Sequence, residues 1–208
     1  KGLKFDLVHC HDWQAALTPV YMKFGNEQAQ STPSIITIHN LAFQGRYGAE
    51  LFKYLDLPQN AYAMDCLEYY NDISYLKGAI KKADAITTVS PTYAQEILTP
   101  EFGMGLEGVL HTRTNDIHGI LNGIDNEIWN PETDANLSAN YSFKSLSPRS
   151  KNRKALEQIF GLKHSKAPLF CVVSRLTWQK GIDVLVGAFD DIIKSGERII
   201  ILGAGETE

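Results

Sequence analysis

Six short runs of aliphatic and β-branched residues, most of them separated by stretches with helical periodicity, restrict this chain to an α/β fold. The runs are Phe5–His9, Ser34–His39, Ala85–Val89, Ile117–Leu121, Leu169–Val173 and Ile199–Leu202. Each is too short for a helix and is followed by polar residues, the pattern of a strand buried on both faces. Between two of them, Gly181–Lys194 places Ile182, Leu185, Val186, Phe189, Ile192 and Ile193 on one helical stripe, and Trp13–Phe24 does the same with Ala16, Leu17, Val20, Tyr21 and Phe24. Ser90 and Pro91 mark a helix start, the serine able to cap free amides and the proline presetting φ at the first helical position. Strands that alternate with helices imply parallel sheets covered on both faces.

The rhythm breaks over residues 126–153, where Pro131, Asn136, Ser138, Asn140, Ser142, Ser145, Ser147 and Pro148 occur without a period. A long irregular crossing is expected there, with two partial domains, 1–116 and 117–208. The chain opens almost directly on a strand and stops at Gly203-Ala204-Gly205-Glu206, where a helix is due, so it reads as an interior piece. A hydrophobic content of 44% with 21% charged residues is that of a soluble globular protein. No apolar run approaches the ~18 to 20 residues of a membrane span. Lys1-Gly2-Leu3-Lys4 does not resemble a secretion signal, and the cytoplasm is the expected compartment. A net charge of -4 with dispersed lysines gives no footprint for nucleic acid or a membrane surface. Cys10, Cys66 and Cys171 are odd in number and far apart, which does not make a disulfide framework.

In open parallel sheets, ligands sit beyond the carboxyl ends of the strands. Five of the six ends carry conspicuous residues: His11-Asp12-Trp13, His39-Asn40, Asn122-Gly123, Ser174-Arg175 and Gly203-Ala204-Gly205. Loops need polar residues in any case, so no single one of these decides a function. The segment from Ser174 to Gly181 says more, because Arg175 and Lys180 flank a turn between a strand and a strong helix. A cation at a helix N-terminus opposes the helix dipole, an arrangement that makes sense when an anion such as a diphosphate is held against both. The plainer alternative is a Lys180 side chain directed to solvent, where the penalty is screened. The glycines at 203 and 205 would allow close backbone approach to a ligand but do not make a full dinucleotide fingerprint. His9-Cys10-His11 could place two imidazoles on one strand face, yet no further Cys or His pair has ligand spacing. No Asp-x-Asp, Gly-x-Ser-x-Gly or glycosidase-like carboxylate pair occurs. Neither a metal, a cofactor nor hydrolysis is expected.

His11-Asp12-Trp13-Gln14-Ala15, the string from Thr37 to Gly45, Thr88 to Ala94, Phe102 to Gly108, Leu121 to Asp125 and Ser174 to Gly181 resemble, in order, the bacterial glycogen and plant starch synthases. The resemblance runs along essentially the whole chain. It implies an α/β fold of the GT-B type, with residues 1–116 from the acceptor-side Rossmann-like domain and 117–208 from the nucleotide-sugar domain. It implies retaining transfer of glucose from ADP-glucose to the non-reducing end of an α-1,4-glucan, glycogen. By resemblance, Arg175 and Lys180 bind the donor diphosphate, His39 lies beside the transferred glucose, and Asn122 with Gly123, Gly203 and Gly205 belongs to the donor side. Asp12, Trp13 and Asn40 fall on the acceptor side. The family's Lys-x-Gly-Gly-Leu loop and Glu-x7-Glu region are expected outside these residues, so the isolated chain is expected to have little activity. A UDP-glucose-dependent relative and a non-catalytic glucan-binding protein are the alternatives.

Overall fold

The computed structural model describes residues 4–205. The Lys1-Gly2-Leu3 start and the helix expected from Glu206 lie outside the described residues. The chain divides into two compact units, Lys1–Gly123 and Ile124–Glu208.

In the first unit, β1 (Val8–His11), β2 (Ser34–Ile38), the later β6 (Ala85–Thr88) and β7 (Ile117–Gly119) form one parallel sheet in the order β1-β2-β6-β7. Parallel neighbours need crossovers, and these are helical: α1 (Asp12–Ala15), α2 (Leu17–Lys23) and α3 (Glu27–Ser31) follow β1, and α5 (Pro91–Glu96) with α6 (Glu107–His111) follows β6. Ile36, Ile38 and Ile86 of the inner strands pack with Leu76 and Ile80 of α4 (Tyr75–Lys82) and with Leu106 and Leu110, all fully buried. That burial on both faces is why β2 reads as an unbroken apolar run. Ser90 accepts from the Tyr93 amide at 2.9 Å with Pro91 at the first helical position, as its sequence predicts. A Cβ on Gly119 would sit 2.3 Å from both Pro91 Cα and Ser90 O, so only glycine lets β7 lie against the start of α5.

Three features differ from the sequence pattern. The expected Trp13–Phe24 helix is broken at Ala16 into α1 and α2. A small antiparallel sheet, β3 (Arg46–Gly48), β5 (Asp72–Ser74) and β4 (Glu68–Tyr69), has strands too short to show a period. Its hairpin turns at Tyr70 and Asn71, whose positive φ values of 52° and 64° match the twist of a two-residue connection. Finally, the division falls after Gly123 rather than after 116, because Ile117–Gly119 is paired to β6 and belongs to the first sheet.

The second unit runs irregularly up to α7 (Arg149–Ile159), which begins inside the stretch expected to lack structure. Parallel β8 (Leu169–Val173) and β9 (Arg198–Leu202) follow, joined through α8 (Ile182–Lys194). α7 is polar, and its anchor is ionic. Glu157, only 2% exposed, accepts from His164 Nδ1 at 2.7 Å, Arg198 Nη2 at 2.8 Å and Arg153 Nε at 3.2 Å. The bonds from His164 and Arg198 hold its carboxyl down at about 2. In this unit Val173 is 75% and Val184 72% exposed. Two strands and two helices leave apolar faces without a second layer. Among the described residues, no helix is long and apolar enough to cross a membrane.

Candidate active site

The parallel register of β1 and β2 pairs His11 with Thr37, so the carboxyl ends of the two strands lie side by side. Asp12 and His39 leave those ends together. Asp12 takes a left-handed backbone, φ 52°, unusual for any residue but glycine, although aspartate tolerates it better than most. Its Oδ1 accepts from the His39 amide at 2.7 Å and the Asn40 amide at 3.3 Å, tying the two loops together. The ring of His39 is held by a second contact, with Nε2 3.0 Å from His11 Nδ1. One of these nitrogens donates and the other accepts, according to tautomer. Behind them, His9 Nε2 lies 2.6 Å from Thr37 Oγ1, which is 2.6 Å from Thr87 Oγ1. The His9 and His11 rings stand 4.4 Å apart. Partial desolvation, then the neighbouring His11 and His39, lower the His9 pKa from its ordinary value. Among the described residues, no cluster of His, Cys, Asp and Glu has the geometry to hold a metal ion.

Asn40 turns its side chain back on its own loop, Oδ1 accepting from the Ala42 amide at 3.0 Å. Trp13 is half-buried against Gly45, whose missing Cβ would come within 2.6 Å of Trp13 Cε3. Tyr93 is a participant that sequence reasoning missed: its hydroxyl accepts from the Leu41 amide at 3.0 Å and anchors the loop after His39. His11 was visible as part of a possible ligand pair, but its partnership with His39 follows only from strand register.

Four of the residues expected on the donor side, Arg175, Lys180, Gly203 and Gly205, follow the ends of β8 and β9. Ser174 N donates to Leu202 O at 3.2 Å and Leu176 N to Ala204 O at 2.8 Å, so the Arg175 loop runs along the glycine loop. Gly203 and Gly205 thus have a packing reason: a Cβ would lie 2.1 Å from Ser174 O and 2.7 Å from Leu176 O, respectively. Lys180 ends a short turn, Trp178–Lys180, immediately before Gly181, which opens α8 with φ 66° and no side-chain cap. Arg175 and Lys180 are exposed, and no hydrogen bond or ion pair occupies either side chain among the described residues. The geometry leaves two cations and uncapped helix amides free for an anion. Asn122 and Gly123 are exposed at the end of the first unit.

A family model described as the starch synthase catalytic domain matches residues 1–112. The chain belongs to that family. It is 55% identical over 203 residues to glycogen synthase 1 of Rhizobium meliloti (strain 1021), covering 98% of this chain and 42% of the relative. It is 54% identical over 207 residues to the glycogen synthase of Novosphingobium aromaticivorans, covering 99% of this chain and 43% of that one. Among solved structures, the catalytic domain of starch synthase IV from Arabidopsis thaliana, bound to ADP and acarbose, superposes with a TM-score of 0.87 at 34% identity. That match covers 99% of this chain and 43% of the other. The α/β, GT-B type of fold expected from the sequence is borne out. The chain spans less than half the length of these relatives.

Proposed function

We propose that this chain works in the transfer of glucose from ADP-glucose to the non-reducing end of an α-1,4-glucan, with retention of configuration, in the cytoplasm. The observation that carries the proposal is the free pair Arg175 and Lys180 beside the uncapped start of α8. In the transition state, negative charge grows on the departing diphosphate, so fixed cations stabilise it more than they stabilise bound donor. The related synthase structure with ADP and acarbose supports a nucleotide donor and a glucan-like acceptor. His39, held by Asp12 through its backbone and by His11 through its ring, is suited to contact the transferred sugar in one orientation. Asn122 with Gly123, and Gly203 with Gly205, would complete the donor side; Trp13 and Asn40 would shape the acceptor side. The 208 residues alone are expected to transfer little, because they span 42% of the relative.

The test is glucose transfer from labelled ADP-glucose to glycogen by the complete gene product, with UDP-glucose and a Lys180→Ala variant in parallel. Transfer from ADP-glucose that collapses in the variant supports the proposal. Preference for UDP-glucose overturns the donor, and glycogen binding without transfer from either donor would make this a glucan-binding protein.

A further inference from the structure

The backbone of His39 is fixed by Asp12, whose Oδ1 accepts from its amide at 2.7 Å, but that bond leaves the imidazole free to turn. His39 is exposed, and the outer torsion of an exposed histidine has two broad wells that interchange its nitrogens. What holds the ring is His11. Its Nδ1 lies 3.0 Å from His39 Nε2, with the ring centroids 5.3 Å apart and the planes 39° from one another. His11 closes β1 and stands at the N-cap of α1, yet its side chain makes no capping bond to the helix amides. The ordinary local use of a polar side chain at that position is not taken up, and Nδ1 is turned to the neighbouring loop instead.

His11 is itself held from behind. Alternation along β1 puts His9 and His11 on one face, and their rings pack 4.4 Å apart at 31°. His9 Nε2 lies 2.6 Å from Thr37 Oγ1, and that oxygen lies 2.6 Å from Thr87 Oγ1, both threonines being only 8% exposed. The series therefore runs outward from a buried hydroxyl pair on β6 and β2, through two rings on β1, to the ring of His39. Each member is bonded to or packed on the next, so the outermost ring is supported by the sheet. With Nε2 committed to His11, and no hydrogen bond at Nδ1 among the described residues, Nδ1 is the nitrogen left to meet a ligand. The shared bond also ties the tautomers together. If His11 donates, neutral His39 carries its proton on Nδ1; if His11 accepts, His39 Nδ1 is an acceptor. Either way His39 presents one kind of group rather than a mixture.

We propose that His11 is the positioning residue that locks the His39 ring in one rotamer and one tautomer, so that Nδ1 alone faces the sugar. Its effect on the reaction rests on the proposed transfer; the lock itself does not. The experiment uses the complete gene product, isotopically labelled at the histidine nitrogens, and compares the unsubstituted protein with His11→Ala, His11→Asn and, to assign the resonance, His39→Ala. Long-range nitrogen–proton spectra at about pH 8, where an unperturbed imidazole is neutral, read the tautomer. His39 is expected to show one tautomer in the unsubstituted protein and a mixture in His11→Ala. One tautomer should return in His11→Asn, whose amide places a polar atom where Nδ1 stands. An unchanged His39 spectrum in His11→Ala overturns the lock. In transfer from ADP-glucose, His11→Ala is expected to lower kcat about tenfold, with KM for the donor within about twofold and the unfolding temperature unchanged, and His11→Asn to recover most of the loss. In a His39→Ala background, His11→Ala should cost nothing further, because the two rings act as a unit. Losses that multiply independently would overturn the positioning role. No transfer by the unsubstituted protein would remove the proposed function, and the spectra would still decide the lock.

Discussion

Four parallel strands in Lys1–Gly123 enclose Ile36, Ile38 and Ile86 completely, whereas two in Ile124–Glu208 leave Val173 and Val184 largely exposed, with an ionic anchor at Glu157. The local alternation of strand and helix is the same in both. What differs is the number of neighbours each strand has, and with it how firmly the strand-end residues are held. In the first unit, Asp12, His39, His11 and Tyr93 are bonded to one another or to each other's loops. In the second, Arg175 and Lys180 sit on a fixed backbone, but their charged ends are free. One region offers preorganised positioning and the other uncommitted charge, so damage to each should read out differently.

The largest separation should come from Arg175→Ala in the complete gene product, which is expected to lower kcat for transfer by about 10² to 10³-fold. In the 208-residue chain the same change should leave stability within about 0.5 kcal/mol. A loss of stability as large as that of a core variant would break the contrast. Leu76→Ala, at a fully buried position, should destabilise the first unit by about 2–5 kcal/mol in urea unfolding. Leu185→Ala, half-buried on α8, should show a clearly smaller loss.

Acid should distinguish the units next. The Glu157 carboxyl falls from an ordinary 4.5 to about 2 in the folded chain, so between those values the unfolded chain binds more protons. Its contribution is therefore complete above about pH 4.5 and is lost as pH falls toward 2. Amide exchange in α7 should accelerate over that window, and Glu157→Gln should flatten the dependence. The smallest effect is expected from Val173→Thr, 75% exposed: less than about 0.5 kcal/mol in the same urea assay. A larger loss would show that the face of β8 is covered in solution.

The strands and α8 were legible because β-branched runs and a helical stripe are local signals that buried packing demands. The start of α7 was not, since its anchor is Glu157 with Arg153, His164 and Arg198, charged residues scattered in sequence that carry no hydrophobic period. Strands such as Glu68–Tyr69 are too short for any period at all. At the candidate site, Arg175, Lys180, Asp12 and His39 could be singled out from residue type and position after a strand. The packing reason for Gly203 and Gly205 could not, because it depends on how closely two backbones pass.

By itself, the sequence determined the α/β class, most strand positions, the helix start at Ser90 and the identity of the strand-end residues. Each of these rests on residues within a few positions of one another. Only the tertiary structure decided that His11 meets His39, that Ile117–Gly119 belongs to the first sheet, and that His9 meets Thr37. Those outcomes depend on strand order and parallel register, which bring together side chains that no sequence spacing relates.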